Sequence, residues 1–372
     1  AGGGWAAAAY LNYRAASKVP QKFTLEKAYP EIRDDFVSAS NGDRECWSRT
    51  MRNMPHGNST FGKVYDPNRT YKLPRTYFNA ALMPAHSPFI FTDEFFENYQ
   101  VTKLGACSDE GNISFSGLKD IKISYAAATS GSVPAFYYAF AQTALCSDNI
   151  NPKTKSFCHP EIKGGAKSYL RLVDGGLYDN IGYKTAYELM LGLRNDARFT
   201  KRAIITVNTG TSTDFKTIAP SKKKNHFLLT TAKNGVFAVQ DSTFERWYEP
   251  MFEAIGVAKD PGPVLLNFYS TANFKPEHRD LLKGMDMLAD KAARQVYCFR
   301  GNEEVKPETK KLSNPIPKYS QSFEKLKAKG GDCLSENFYR IGTLGKTTYK
   351  IDEKMFTILW QLGRLSVKMN EA

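Results

Sequence analysis

Histidine is scarce in this sequence, with five residues in 372, and where those five fall excludes the commonest catalytic and metal-binding designs. His56, His86, His159, His226 and His278 lie in polar or proline-flanked stretches, which read as surface loops. There is no His-Glu-x-x-His and no Cys-x-x-Cys, so neither a zinc-protease helix nor a thiolate metal site is expected. No cofactor is implied. Cysteine is thinly used as well: Cys46, Cys107, Cys146, Cys158, Cys298 and Cys333 are widely scattered, and a chain this long has no need of a disulfide scaffold. Cys146 and Cys158 flank a polar insertion and suit a bridge in an oxidising compartment; all six suit a reducing one equally well. No run approaches the roughly 18 to 20 apolar residues of a membrane-spanning helix, so any contact with lipid is expected to be peripheral.

Acid is in deficit. Against 51 Lys and Arg stand 38 Asp and Glu, a formal charge of +13, which suits anionic partners such as phospholipid headgroups. The basic residues gather at Lys222-Lys223-Lys224, at Lys306 with Lys310 and Lys311, and at Lys325, Lys327 and Lys329. Two readings are open for these runs: solvated loops, or docking sites on an anionic membrane worth about 1 kcal/mol per basic residue. Nucleic acid is not expected, because the 24 Phe and 20 Tyr occur in core-like contexts with no recognition motif around them. Localisation is left undetermined; Asn58, Asn68 and Asn112 begin glycosylation-type triplets, which carry meaning only in a secreted protein.

The most informative residues are Asp174-Gly175-Gly176. Leu170, Leu172 and Val173 read as a buried strand, and the two glycines suit a sharp turn that projects the Asp174 carboxylate from the strand's carboxyl end. An ordinary Asp-Gly turn has the same letters. The start of the chain gives it company: Ala1-Gly2-Gly3-Gly4-Trp5 runs into Ala6 to Ala9, Tyr10 and Leu11, glycines feeding a strong helix former. A nucleophile elbow is built this way, with small residues where side chains would collide and helix amides that favour developing negative charge.

At this point the chain resembles the bacterial patatin-like phospholipases, relatives of the cytosolic phospholipase A2 catalytic domain. That family carries Gly-x-Ser-Gly-Gly before an Ala-rich helix, and later an Asp-Gly-Gly. Aligned on the glycines, Trp5 and the alanines, Ala1 falls on the nucleophilic serine and Asp174 on the dyad aspartate. Further blocks are similar in order: Phe78-Asn79-Ala80 with Phe89 to Phe96, Ala126 to Phe136, Asp179-Asn180-Ile181-Gly182, and Ile341-Gly342-Thr343. Two departures stand out. Asn79-Ala80-Ala81-Leu82 lacks the acid usual in that segment. The family's first strand, glycine-rich oxyanion loop, first helix and the strand entering the elbow have no counterpart, which implies an upstream portion, continuous with this chain or associated as a separate piece.

The resemblance implies an α/β fold of three layers (α/β/α) around a mostly parallel sheet, with residues 1–372 as a single acyl hydrolase domain, 18–72 a candidate lid or insertion, and 209–372 a part with basic loops and a closing helix. It implies a Ser-Asp dyad at position 1 and Asp174, oxyanion amides from Gly2 and Gly3, and Gly175, Gly176 and Asn180 supporting the aspartate. The substrate class would be phospholipid or lysophospholipid, with an anionic membrane surface, and an activator protein or separate N-terminal segment as further partners. Ala1 has three explanations: an engineered serine-to-alanine change, a natural loss of the nucleophile, or a register slipped by one with serine just upstream. Where the nucleophile is lost, the same fold would be an inactive lipid-binding or protein-interaction scaffold.

Periodicity places helices near 4–17, 134–145, 183–194, 276–296 and 352–369, and strands near 75–80, 88–92, 169–173 and 203–208. The last strand, Ala203 to Asn208, has the look of a buried parallel-type run. Between 18 and 72, Pro20, Pro30, Pro55 and Pro67 punctuate a polar excursion in which Phe36, Trp47, Met51 and Met54 suit either an acyl pocket or packing against the body.

Overall fold

The structure, a computed structural model, describes residues 2–16, 24–40, 59–83, 87–98, 101–105, 112–114, 116–132, 142–146, 169–179, 182–198, 202–208, 250–251, 254, 264–267, 299–300, 303–304 and scattered positions from 353 to 367. The chain divides into two compact units, Ala1–Gly182 and Tyr183–Ala372, of mixed helix and strand content.

The first unit opens with helix α1, Gly2–Ala16. Trp5, Ala8, Leu11, Asn12 and Ala15 are buried, a spacing of three and four that draws one stripe along the helix. The helix starts two residues earlier than its sequence pattern suggests, so Gly2 and Gly3 belong to its first turn. Helix α2, Leu25–Ser40, follows Thr24, whose hydroxyl accepts the Lys27 N–H at 3.3 Å. It packs on α1. Pro30 sits inside α2 and is exposed, so the helix bond it forfeits lies on the solvent side. Short helix α3, Phe61–Val64, is capped by Thr60, which accepts the Lys63 N–H at 3.2 Å. The Arg69 guanidinium donates to the Arg14 carbonyl near the end of α1 at 3.3 Å and to the Lys63 carbonyl of α3 at 2.8 Å. One cation thereby serves the electronegative ends of two helices.

Strands β1 (Asn79–Met83) and β2 (Ser87–Ile90), helix α4 (Asp93–Asn98), strands β3 (Val101–Gly105) and β4 (Asn112–Ser114), helix α5 (Ile123–Ser130), and strands β5 (Gln142–Cys146) and β6 (Tyr169–Asp174) complete this unit. The six strands form one sheet in the order β2-β1-β6-β5-β3-β4. Every pairing in it is antiparallel, which corrects the expectation of a mostly parallel sheet for the described residues. The apolar run of β6 reports burial on both faces, and burial is silent about the direction of the neighbouring strands. Between β1 and β2 there are three residues, far too few for a parallel crossover. A second correction concerns 134–145: Gln142 to Leu145 are strand, paired with β6 on one side and β3 on the other. Two-sided ladder bonding outweighs the helix preference of Ala144 and Leu145.

Helix α5 lies against β1, β6 and α1. Ile123 through Thr129 are all buried, as expected of a helix covered on every side, and Ala126, Ala127 and Ala128 let its neighbours approach closely. Thr129 Oγ1 donates to the Tyr125 carbonyl at 2.8 Å, and just beyond the helix Ser132 Oγ donates to the Ala128 carbonyl at 2.7 Å. Beside the sheet, Phe89, Phe91 and Phe96 are buried and meet with ring centroids 5.5 to 5.7 Å apart, the edge-to-face and tilted geometry aromatic rings favour.

In the second unit, helix α6 spans Tyr183–Gly192, and β7 (Ile205–Asn208) pairs in parallel with β8 (Val264–Asn267). Ile205 is 67% exposed, so β7 is parallel as its sequence suggests yet is not wholly buried. Strands β9 (Phe299–Arg300) and β10 (Glu303–Glu304) pair antiparallel. Glu353, Phe356, Trp360, Arg364 and Val367 are helical, in keeping with the expected closing helix. Outside the described residues lie all five histidines, the lysine clusters, Ala1, Asn180, Ile341 to Thr343, Cys158 and the expected helix 276–296. Within the excursion 18–72, residues 17–23 and 41–58 are likewise outside them.

Candidate active site

Asp174 is the last residue of β6 and faces Ala80 of β1 across the ladder. Its N–H donates to the Ser132 carbonyl at 2.9 Å, which fixes the end of the strand to the carboxyl end of α5. The carboxylate accepts the Gly176 N–H at 2.6 Å and caps a single 3-10 turn, Gly175–Leu177. That turn is closed by the Tyr178 and Asp179 N–H groups, which donate to the Gly175 carbonyl at 3.0 and 2.9 Å.

Glycine is required at 175 for space. A Cβ there would collide with the Asn79 carbonyl of β1, and the backbones approach this closely because no side chain intervenes. Among the described residues, the glycine with positive φ is Gly182, at 85°. The sequence reading of Gly175 as a residue chosen for its backbone angle is therefore replaced by one of close approach.

Asp174 is 5% exposed. Burial raises its carboxyl above the ordinary aspartate value, and the Gly176 N–H pulls the other way. Such a carboxylate is shifted toward the range useful to a general base near neutral pH. The same corner receives the first turn of α1. A Cβ at Gly4 would lie 3.5 Å from Ser130 Oγ and 3.6 Å from Phe78 Cδ1. Ser130 ends α5 two residues before Ser132, which holds Asp174, and Phe78 precedes Asn79, which abuts Gly175. The helix start and the Asp174 loop thus share one pair of neighbours, the end of α5 and the start of β1. The first turn of α1 carries no acidic side chain, so its N–H groups and the positive end of the helix dipole are available to an anion.

Of the residues singled out from sequence, Asp174, Gly175 and Gly176 are brought together in one buried loop, with Gly2 and Gly3 in the turn of α1 next to Gly4. Ala1 and Asn180 lie outside the described residues. Sequence reasoning passed over Ser132 and Asp179 as site residues. A Gly-Ser pair directly after the alanine-rich helix was the available signal for the first, and an aspartate three residues before a glycine for the second. Asp179 is 5% exposed, and its Oδ1 accepts the Gly182 N–H at 2.9 Å.

Among the described residues no group of three or more His, Cys, Asp and Glu could hold a metal ion, and no helix is long and apolar enough to cross a membrane. No protein-family model, curated protein or solved structure matches this chain.

Proposed function

We propose that this chain is the aspartate-bearing body of a patatin-like serine acyl hydrolase that cleaves ester bonds of phospholipids or lysophospholipids, with Asp174 as base and a serine at or beside position 1 as nucleophile. The observation that carries this reading is a buried aspartate in a glycine loop that shares its neighbours with a helix start whose own first turn carries no acidic side chain.

A serine hydroxyl is a weak nucleophile at its free pKa. Here the Asp174 carboxylate would take its proton as the oxygen adds to the ester carbonyl, without an intervening histidine. N–H groups of the first turn of α1, Gly2 and Gly3 among them, would stabilise the oxyanion, an interaction in which one lost donor typically costs about a hundredfold or more in turnover. Collapse would expel the alcohol portion, which recovers the proton from Asp174, and water would release the fatty acid by the same sequence in reverse roles. The basic surface implied by +13 suits an anionic membrane carrying the substrate, and 18–72 is the segment proposed to cover the site.

Fatty-acid release from phospholipid and lysophospholipid vesicles tests this, comparing serine with alanine at position 1 and Asp174 with asparagine in a protein that includes its upstream residues. Release that needs both the serine hydroxyl and Asp174 is expected; a folded serine form that releases nothing, with candidate membrane and protein activators added, would overturn it. Alanine at position 1 favours a second reading, an inactive scaffold of the same fold that binds lipid or protein. A gene sequence encoding alanine there, with vesicle binding and no turnover, is its signature.

A further inference from the structure

Asp179 is a second buried carboxylate five residues beyond Asp174, and the hydrolysis scheme gives it no task. Its two ends close the loop in opposite directions. The Asp179 N–H donates to the Gly175 carbonyl at 2.9 Å, so its backbone completes the turn that Asp174 caps. Its side chain reaches forward to the Gly182 N–H at 2.9 Å, and Gly182 has φ of 85°, a conformation that residues with a Cβ seldom adopt. A Cβ at Gly182 would meet open space, so the backbone angle, with no steric contribution, is what selects glycine there. The desolvation cost of a carboxylate at this position is explained if the bond to Gly182 keeps the loop in one shape.

We propose that Asp179 is a positioning residue for the base: by locking Gly182 in its left-handed conformation it holds the Gly175–Leu177 turn shut and keeps the Asp174 carboxylate aimed and dry. This rests on the reading of Asp174 as base, and it gives the two buried carboxylates different parts, of which one reacts and one braces.

The test pairs two substitutions at each end of the brace. Asp179→Asn keeps an oxygen acceptor for Gly182 and Asp179→Ala removes it; Gly182→Asn tolerates the left-handed angle and Gly182→Ala does not. Titration of the Asp174 carboxyl is followed by NMR in aspartate-labelled protein, with Asp174→Asn giving the assignment. Opening the turn admits water, so Asp179→Ala and Gly182→Ala should move the Asp174 titration down toward the ordinary carboxylate range near about 3.9, and Asp179→Asn and Gly182→Asn should leave it in place. Fatty-acid release should follow the same order, with turnover reduced by about a hundredfold in the alanine variants and KM unchanged. An Asp174 titration unaltered in both alanine variants overturns the proposal, as does equal loss in the asparagine and alanine variants. Should Asp179→Ala fail to fold, the Gly182 pair reads the same brace with both carboxylates intact. Failure of the hydrolase reading looks different: no variant, including one with serine at position 1, would release fatty acid, yet the titration would still report the brace.

Discussion

Two aspartates, one in each unit, show how far surroundings decide what a carboxylate is for. Asp174 is buried at a strand end with one backbone N–H on it, and burial pushes its carboxyl up. Asp196 lies in a surface turn after α6, where Arg198 donates to both of its oxygens at 2.6 to 3.1 Å and lowers its carboxyl to about 2. The first is kept from ionising easily and is ready to accept a proton; the second is ionised at every physiological pH and has its partner in place. An adjacent guanidinium holds a carboxylate ionised, whereas burial favours its protonated form.

The largest effect that would break this comparison is on activity. Asp174→Asn should reduce fatty-acid release by about 10²- to 10⁴-fold, the usual worth of a general base, while Asp196→Asn should leave it unchanged; equal losses in the vesicle assay would remove the distinction. Next in size is a steric contrast within the loop. Gly175→Ala forces a methyl into the Asn79 carbonyl and should destabilise by about 1–3 kcal/mol. Gly182→Ala, facing open space, should cost about 1 kcal/mol through its backbone angle alone. Denaturant melts of the two variants rank them.

A smaller effect appears in stability against pH, and its sign differs between the aspartates. A folded-state value raised above the unfolded one means that the protonated form is favoured by folding. The Asp174 contribution is therefore full below the unfolded value of about 3.9 and is lost as pH rises through the raised one. Asp174→Asn should be at least as stable as the parent at pH 7 and should lose that pH dependence, because an amide keeps the acceptor for Gly176 without a charge to bury. The smallest effect belongs to Asp196, whose lowered value gives stability above about 3.9 that is lost as pH falls toward 2. Its partner is mostly exposed, so Asp196→Asn should alter melting only slightly, and only at low salt. Thermal melts from pH 3 to 8 separate these cases.

What the sequence disclosed and what it withheld follow from range. The alanines of α1, the Tyr183 to Leu191 stretch of α6 and the apolar end of β6 announce themselves because their signals are local: propensity, helical spacing, a glycine pair after a buried run. Strand direction and strand order are decided between segments up to about a hundred residues apart in sequence, and no local pattern encodes them. Gln142 to Cys146 illustrates the cost. Its composition favours helix, and only the vacant slot between β3 and β6 makes it a strand. In the same way Asp174 was recognisable from its own neighbours in the chain, whereas the contact that makes glycine necessary at 175 comes from Asn79, and the residue that anchors Asp174 is Ser132. The bracing carboxylate of Asp179 was hidden by a different fact: its importance depends on the φ of Gly182, which no single sequence reveals.

The strand order has a consequence for how the protein comes into being. β6 is the last of the six strands to be synthesised, yet it belongs in the middle of the sheet, between β1 and β5. Until it is made, β1 and β5 have no common neighbour and the Asp174 loop does not exist. A growing chain therefore carries helix α1 well before β6 is made. Long-range closure of this kind is slow, so the sheet should close in one step when β6 enters its place, and pulse-labelled amides of β6 should gain protection together with those of β1 and β5.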